Sequence, residues 1–345
     1  MADAGYHVSL IARAPSPQTI DGVKIIPSIG SSKYRLLRFL LLPAVGVQAL
    51  LQNAEIYHLH NPDTLPIVIL LRIFGKKVIY DTHEDFSRKI LVKDWIPKLL
   101  RRPLAFFVGK SESLISTIAT ASIATQQDVV ERLKNNALLL GNPPRVNEEL
   151  YARVSRLAQE IDDQKCQLRA IYIGHISRPR GLYEMVDALA IANKTTHVRL
   201  WLIGPADKDD LDSACDRPGW KFVDYMPSMA QELAFAYVER ADAGLVVTRD
   251  VGGFASTDPN KLYEYMMFGK PFIASAFDAW KEKLADIDAG WFVEPGSAEE
   301  IANVLLEISE FGETAATKGA SGKKFTRSYN WETESQKLLE LYSEL

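Results

Sequence analysis

The stretch Asp258-Pro259-Asn260-Lys261-Leu262-Tyr263-Glu264-Tyr265-Met266-Met267-Phe268-Gly269-Lys270-Pro271 carries the start and stop signals of one short helix. Thr257 or Asp258 is placed to cap the first amides, and Pro259 suits the first helical position, where no N–H is needed. Gly269 supplies a left-handed ending and Pro271 blocks continuation. Leu262, Tyr265 and Met266 fall on one face at i, i+3 and i+4 spacing, while Lys261 and Glu264 share another. Gly244-Leu245-Val246-Val247-Thr248 before the helix and Phe272-Ile273-Ala274-Ser275 after it read as strands. A helix opening from the carboxyl end of a parallel strand offers its amides to an anion. The same spacing also suits an ordinary surface helix of an α/β domain.

Outward from this stretch, strands and helices alternate in both directions. Towards the amino terminus lie Arg169 to Gly174, Val198 to Ile203 and Lys221 to Asp224; towards the carboxyl terminus lies Gly290 to Val293. The first half repeats the rhythm with His7 to Ala12, Val23 to Pro27, Glu55 to His60, Val78 to Glu84, Ser122 to Thr125 and Ala137 to Leu140. Such alternation predicts crossover units and a parallel sheet in each half, an α/β fold of two domains with a cleft between the carboxyl ends of their strands. The expected divisions are a first domain at 1–150, a charged linker at 151–167, a second domain at 168–328, and a final helix at 329–345 that packs back toward the first. The chain opens on Met1 to Tyr6, which reads as a helix end. The strand and loop that normally precede a first helix are therefore expected to be missing.

Composition narrows the function. At 345 residues with a net charge of −4, the chain is an ordinary globular protein without a nucleic-acid-binding charge balance. Two cysteines, Cys166 and Cys215, form neither a metal spacing nor a disulfide framework, and no secretory leader is evident. A cytoplasmic location is expected, with the inner face of the membrane an added option. The apolar run Phe39 to Leu51 is too short to span a bilayer. No G-x-G-x-x-G follows a strand and no G-x-S-x-G elbow exists, which removes the main support for a dinucleotide dehydrogenase or a serine hydrolase.

Three polar groups end predicted strands. One is His58-x-His60-Asn61-Pro62-Asp63 with Asp81-Thr82-His83-Glu84; another is Gly174-His175-Ile176-Ser177-Arg178-Pro179-Arg180-Gly181; the third is the helix quoted above. His58 and His60 share a strand face, but no third spaced ligand and no His-x-x-x-His pair accompanies them, so no metal is expected.

These residues resemble a family. Tyr172-Ile173-Gly174 with Arg180-Gly181 is similar to the opening of the second domain in retaining GT-B glycosyltransferases of family 4. The run Pro259 to Met266, followed by Gly269-Lys270-Pro271, resembles that family's donor-binding helix. Val78 to Glu84, Asn142-Pro143 and Gly290 to Gly296 match further landmarks. The resemblance implies two Rossmann-like domains, acceptor-side first and nucleotide-sugar-binding second. It further implies metal-independent transfer of a sugar to an acceptor hydroxyl with retained configuration, and no cofactor. It assigns catalysis to His83, Arg180 and Lys261. Donor binding falls to Gly174, His175, Arg178, Tyr225, Met226, Ser256, Pro259, Asn260, Leu262 and Glu264. His60, Asn61 and Glu84 stand on the acceptor side.

The physical problem matches this assignment. A departing nucleoside diphosphate needs its charge stabilised, and Arg180 and Lys261 supply charge-assisted hydrogen bonds worth about 1.5–3 kcal/mol each. The helix end adds roughly 0.3–2 kcal/mol. The family pattern is broken at Ser256, which stands eight before Glu264 where an acid is usual, so the amides of Gly252 to Ser256 are expected to substitute. It is broken again at His175, where an arginine is usual. Basic-aromatic segments at Lys33, Arg35 and Arg38 before Phe39, and from Lys89 to Phe107, suit either a solvated rim or an anionic membrane surface. The latter fits a lipid-linked acceptor in surface-polysaccharide or glycolipid assembly. A silent nucleotide-sugar binder and a sugar-nucleotide epimerase are the alternatives.

Overall fold

The computed structural model describes residues 1–31, 34–83, 85–93, 95–134, 137–161 and 166–345. They form two units, Met1–Gly141 with Ser335–Leu345, and Asn142–Glu334.

The first unit holds β1 (Ser9–Ala12), β2 (Gln18–Ile20), β3 (Val23–Pro27), β4 (Ile56–His60), β5 (Lys77–Thr82), β6 (Ala121–Ala124) and β7 (Leu138–Leu139). They make two sheets, in the orders β1-β3-β2 and β4-β5-β6-β7. The second sheet is parallel throughout, but β2 pairs β3 antiparallel. That hairpin was not expected. Asp21 and Gly22 both take positive φ, 48° and 76°, as a two-residue hairpin turn requires. The strand it serves is three residues long and wholly exposed, so it leaves no alternating apolar signal.

Val78, Ile79 and Tyr80 of β5 are fully buried. One layer packs on Val78 and Tyr80 from Ile67, Val68 and Leu71 of the helix Leu65–Ile73. On the opposite face Ile79, Ala121, Ile123 and Leu140 meet Leu338, Leu341, Tyr342 and Leu345, which lie in or just beyond the final helix, Trp331–Glu344.

The second unit is a six-stranded sheet of β8 (Leu168–Ile173), β9 (Val198–Ile203), β10 (Val223–Met226), β11 (Ala243–Val246), β12 (Phe272–Ser275) and β13 (Gly290–Val293). The order is β10-β9-β8-β11-β12-β13, with every pair parallel. This is the doubly wound order in which the strand sequence reverses between the first and fourth strands. Ligands bind outside the carboxyl ends at such a switch point, here those of β8 and β11. Leu182–Ala192 and Ala298–Glu310 contribute to the apolar layer on one face, Gln231–Arg240 and Asn260–Met267 to that on the other. The segment read as a linker begins inside the helix Glu148–Gln159, whose Val154 and Ala158 are buried in this second layer.

Candidate functional site

In the second unit the chain leaves β8 through Gly174 at φ +125°, and a Cβ there would sit 2.6 Å from Lys261 Cε. Only glycine lets the ammonium stem come so close. The short turn Arg178–Arg180 follows, closed by Gly181 at φ +82°. The Arg249 amide donates to the Pro179 carbonyl at 2.9 Å, tying this turn to the loop after β11.

Arg180 is thereby held with its guanidinium 5.1 Å from the Phe254 ring centre and close enough to Tyr172 that its charge opposes the rise burial imposes on that hydroxyl, which itself donates to the His175 carbonyl at 2.7 Å. Lys261 Nζ stands 5.5 Å from the Tyr172 ring centre. Two cations therefore meet at one tyrosine. Burial, and then the charge of Arg180, pull the Lys261 ammonium down to about 8. Burial pushes the Glu264 carboxyl up, opposed by Lys261. Among the described residues neither Arg180 nor Lys261 enters a direct ion pair. Glu264 offsets part of the Lys261 charge without pairing with it, and the repulsion left between Lys261 and Arg180 is of the kind an added anion relieves.

The helix Asn260–Met267 ends as expected, with Gly269 at φ +70° and the Lys270 amide donating to Tyr265 at 3.0 Å. Its start differs. Pro259 is the cap residue rather than the first helical one, and no side chain caps the amino end. Asp258 is occupied instead by the Tyr263 hydroxyl at 2.6 Å and by Lys283. The Thr257 hydroxyl donates back to Phe254 at 2.8 Å. The amino end is left without a side-chain acceptor, as suits an anion from outside.

Other expected donor contacts are distributed differently. Leu262 is 1% exposed and its side chain is sealed in the apolar layer, so its side chain serves the core. Ser256 Oγ turns back to the Gly253 carbonyl at 3.0 Å. The amides of Ala255 and Ser256 are taken by Asp250 and Gly253, so those two do not replace the family's acid. Arg178 points its guanidinium at Tyr183, 5.6 Å from the ring centre, and His175 pairs with Asp207 at 3.1 Å. Tyr225 is exposed at the end of β10, while Met226 packs on the core beside it. Asn260 opens the helix. Tyr172 and Phe254, which line the cationic group, were not foreseen; a polar-tipped aromatic just before Gly174 was the available signal.

In the first unit β4 and β5 run in register with His60 opposite Asp81. Alternation along β5 sends Tyr80 and Thr82 to one side, where both bond Glu112 (2.8 and 3.2 Å) and Arg132 joins Glu112 to Asp85. That anchored network fixes the strand end whose other side carries Asp81, with His83 just beyond. His58, His60 and His83 converge on Asp81 Oδ2 at 3.1, 3.3 and 3.5 Å. Burial alone pushes Asp81 up, but hydrogen bonds from His58 and His60 and the charge of His83 hold it well below the usual carboxylate range. Asn61, next to His60, takes φ +69°, an uncommon conformation outside glycine that concentrates at functional sites. Glu84 lies outside the described residues. The third ligand-type atom beside His58 and His60, absent from the sequence spacing, is Asp81 on the neighbouring strand.

Residues 167–310 match the family model described as glycosyl transferases group 1. The phosphatidyl-myo-inositol mannosyltransferase of Mycolicibacterium smegmatis is 24% identical over 355 residues, covering 99% of this chain and 86% of that one. Its counterpart from Mycobacterium leprae is 22% identical, covering 84% and 73%. Among solved structures, a sucrose-phosphate synthase from Thermosynechococcus elongatus superimposes with a TM-score of 0.79 at 19% identity, over 99% of this chain and 90% of that one. Anabaena HepE in complex with UDP and glucose gives 0.70 at 16% identity, over 94% and 87%. The fold of this chain is GT-B.

Proposed function

We propose that this chain, a GT-B glycosyltransferase of the group 1 type, moves a sugar from a nucleotide-sugar to an acceptor hydroxyl with retention and without a metal at the diphosphate. The observation that carries the reading is the pair Arg180 and Lys261. Both are cations without a direct ion-pair partner among the described residues, on the same unit as the uncapped helix Asn260–Met267. Donors fixed in place before charge develops account for most catalysis of this kind. Arg180 and Lys261 hold the departing diphosphate, Glu264 accepts from the ribose hydroxyls, and the backbone near Tyr225 and Met226 reads the base. His83 contacts the transferred sugar, with His60 and Asn61 toward the acceptor; these roles are carried over from the family resemblance.

A thermal-shift screen over UDP-, GDP-, ADP- and dTDP-sugars, run with a chelator present, tests this reading. One nucleotide class is expected to raise the melting temperature by mass action. A screen in which none does so refutes it. One observation favours a silent binder: Ser256 stands at the position of the family's acid and spends its hydroxyl on Gly253. Donor stabilisation with neither transfer nor donor hydrolysis would decide for that alternative.

The acceptor is a lipid-linked or surface glycan precursor in this reading. No helix among the described residues is long and apolar enough to cross a membrane. The helix Lys98–Ile118 nonetheless exposes Leu99, Phe106, Phe107 and Leu114 beside Lys98, Arg101, Arg102 and Lys110. A basic helix with exposed aromatics suits the interface of an anionic bilayer. Flotation with anionic vesicles is expected at low salt and is expected to fade as salt is added. Protein left at the bottom of the low-salt gradient removes the membrane part of the proposal.

A further inference from the structure

We propose that the strand-end cluster of the first unit, His58, His60 and Asp81 closed by His83, binds one first-row divalent transition metal such as zinc, and that the bound metal inhibits transfer. The inhibition rests on the sugar contact assigned to His83 above; the metal site does not.

Four separations between candidate donor atoms come near those of a small tetrahedral ion. His58 Nε2, His60 Nδ1 and His83 Nε2 lie 3.1, 3.3 and 3.5 Å from Asp81 Oδ2, and His60 Nδ1 lies 3.2 Å from His83 Nε2. Donors bound tetrahedrally at about 2.0–2.2 Å stand about 3.3–3.6 Å from one another. The donor atoms of His58, His60 and Asp81 all fall within 4.8 Å of one another.

The surroundings also suit a metal. His58 Nδ1 is 2.8 Å from the Tyr342 hydroxyl, an outer partner that fixes the ring and presents Nε2. Asp81 Oδ1 is buried with no hydrogen-bond partner. An adjoining cation compensates such an orphaned oxygen, which an all-hydrogen-bond account of the cluster leaves unexplained.

Access is open, because the His60 and His83 side chains are 47% and 46% exposed. The rings stand nearly parallel, with 16° between His58 and His60 and 16° between His60 and His83. The ring torsion of histidine is broad, so the two exposed rings can turn their lone pairs inward at little cost. Imidazole donors with one carboxylate select zinc, cobalt or nickel over calcium or magnesium. A metal held here takes up His83 Nε2 and withdraws it from the sugar.

The chelator-stripped full chain is titrated with zinc chloride by calorimetry and with cobalt chloride by visible absorption. One equivalent is expected to bind, with the intense absorption of tetrahedral cobalt. Tyr342→Phe, which touches only an outer partner, weakens binding by about 10–100-fold, and His60→Ala weakens it further. Weak cobalt absorption, or equal zinc affinity in wild type and His60→Ala, overturns the site. In the activity arm, zinc suppresses transfer by wild type, and Tyr342→Phe needs correspondingly more zinc. Stoichiometric zinc without loss of transfer leaves the site standing and overturns the part given to His83. Failure to turn over any donor before zinc is added counts against the transferase reading alone.

Discussion

Lys261→Met is expected to slow sugar transfer by about a hundredfold while raising the melting temperature. The two effects have one cause. Lys261 is held at about 8 against an ordinary 10.5 because burial, and then Arg180, disfavour its charge. At neutral pH the fold carries a charged ammonium in a place that resists it, at a cost of roughly 3 kcal/mol from the shift. The unfolded chain binds that proton more tightly. The penalty is therefore complete below pH 8 and fades as pH rises from 8 to 10.5, so this group makes folding more favourable across that window. Methionine keeps the stem and removes the charge, so the penalty disappears. What is lost is a charge-assisted hydrogen bond to the departing diphosphate, and removal of one preorganised donor costs about 10²–10³ in rate. Arg180→Ala is expected to cost a similar hundredfold, about 3 kcal/mol. Because the two cations share one charge to stabilise, the double variant falls short of the product of the singles. Melting curves and steady-state rates on the three variants check this. A Lys261→Met protein that melts earlier, or turns over at the wild-type rate, contradicts it.

Gly181→Ala is expected to lower stability by about 3 kcal/mol and the melting temperature by roughly 5–10 °C. A Cβ on Gly181 would lie 2.1 Å from the Val247 carbonyl oxygen, and the residue takes φ +82°. The left-handed conformation alone costs about 1–2 kcal/mol for an alanine. The carbonyl belongs to the strand end beside the switch point and cannot fold away as a side chain would. The turn Arg178–Arg180 must shift, and Arg180 shifts with it, so transfer falls as well. Gly174→Ala makes the contrast. Its obstructing atoms are the tip of Lys261, so the side chain is displaced more readily than the backbone. The φ of +125° at Gly174 strains an alanine as well, so melting falls there too, and donor affinity is lost through the displaced Lys261 rather than through Arg180. Denaturation curves paired with donor titrations separate the two, and a Gly181→Ala protein as stable as wild type contradicts the packing described.

Most strands were legible within a residue or two, because buried parallel strands are continuous β-branched runs bounded by glycine, proline and asparagine. Val23–Pro27, Val198–Ile203 and Gly290–Val293 match to the residue. The helix Asn260–Met267 was legible from its punctuation. The hairpin strand Gln18–Ile20 was not, since an exposed three-residue strand has no apolar face to declare it. The start of the helix Asn260–Met267 was misread for a different reason. Asp258 is a good cap in isolation, but Tyr263 and Lys283 compete for it, and that competition exists only after folding. Leu262 shows the limit of naming ligand contacts along a motif, because alternate positions on one helix serve the core. The histidine cluster was half visible. His58 and His60 announced themselves by spacing, whereas Asp81 joins them through strand register, and register between strands is not written along a sequence.

The central claim is that a diphosphate is gripped by Arg180, Lys261 and an uncapped helix end, with charge on Lys261 required. Its most direct test is calorimetric titration of the free nucleoside diphosphate, with chelator present, across a range of pH. In wild type, affinity is expected to hold up to about pH 8 and fall above it as Lys261 loses its proton. In Lys261→Met it is expected to be weaker and flat over the same range. Equal affinities with equal pH dependence in the two proteins would contradict the account.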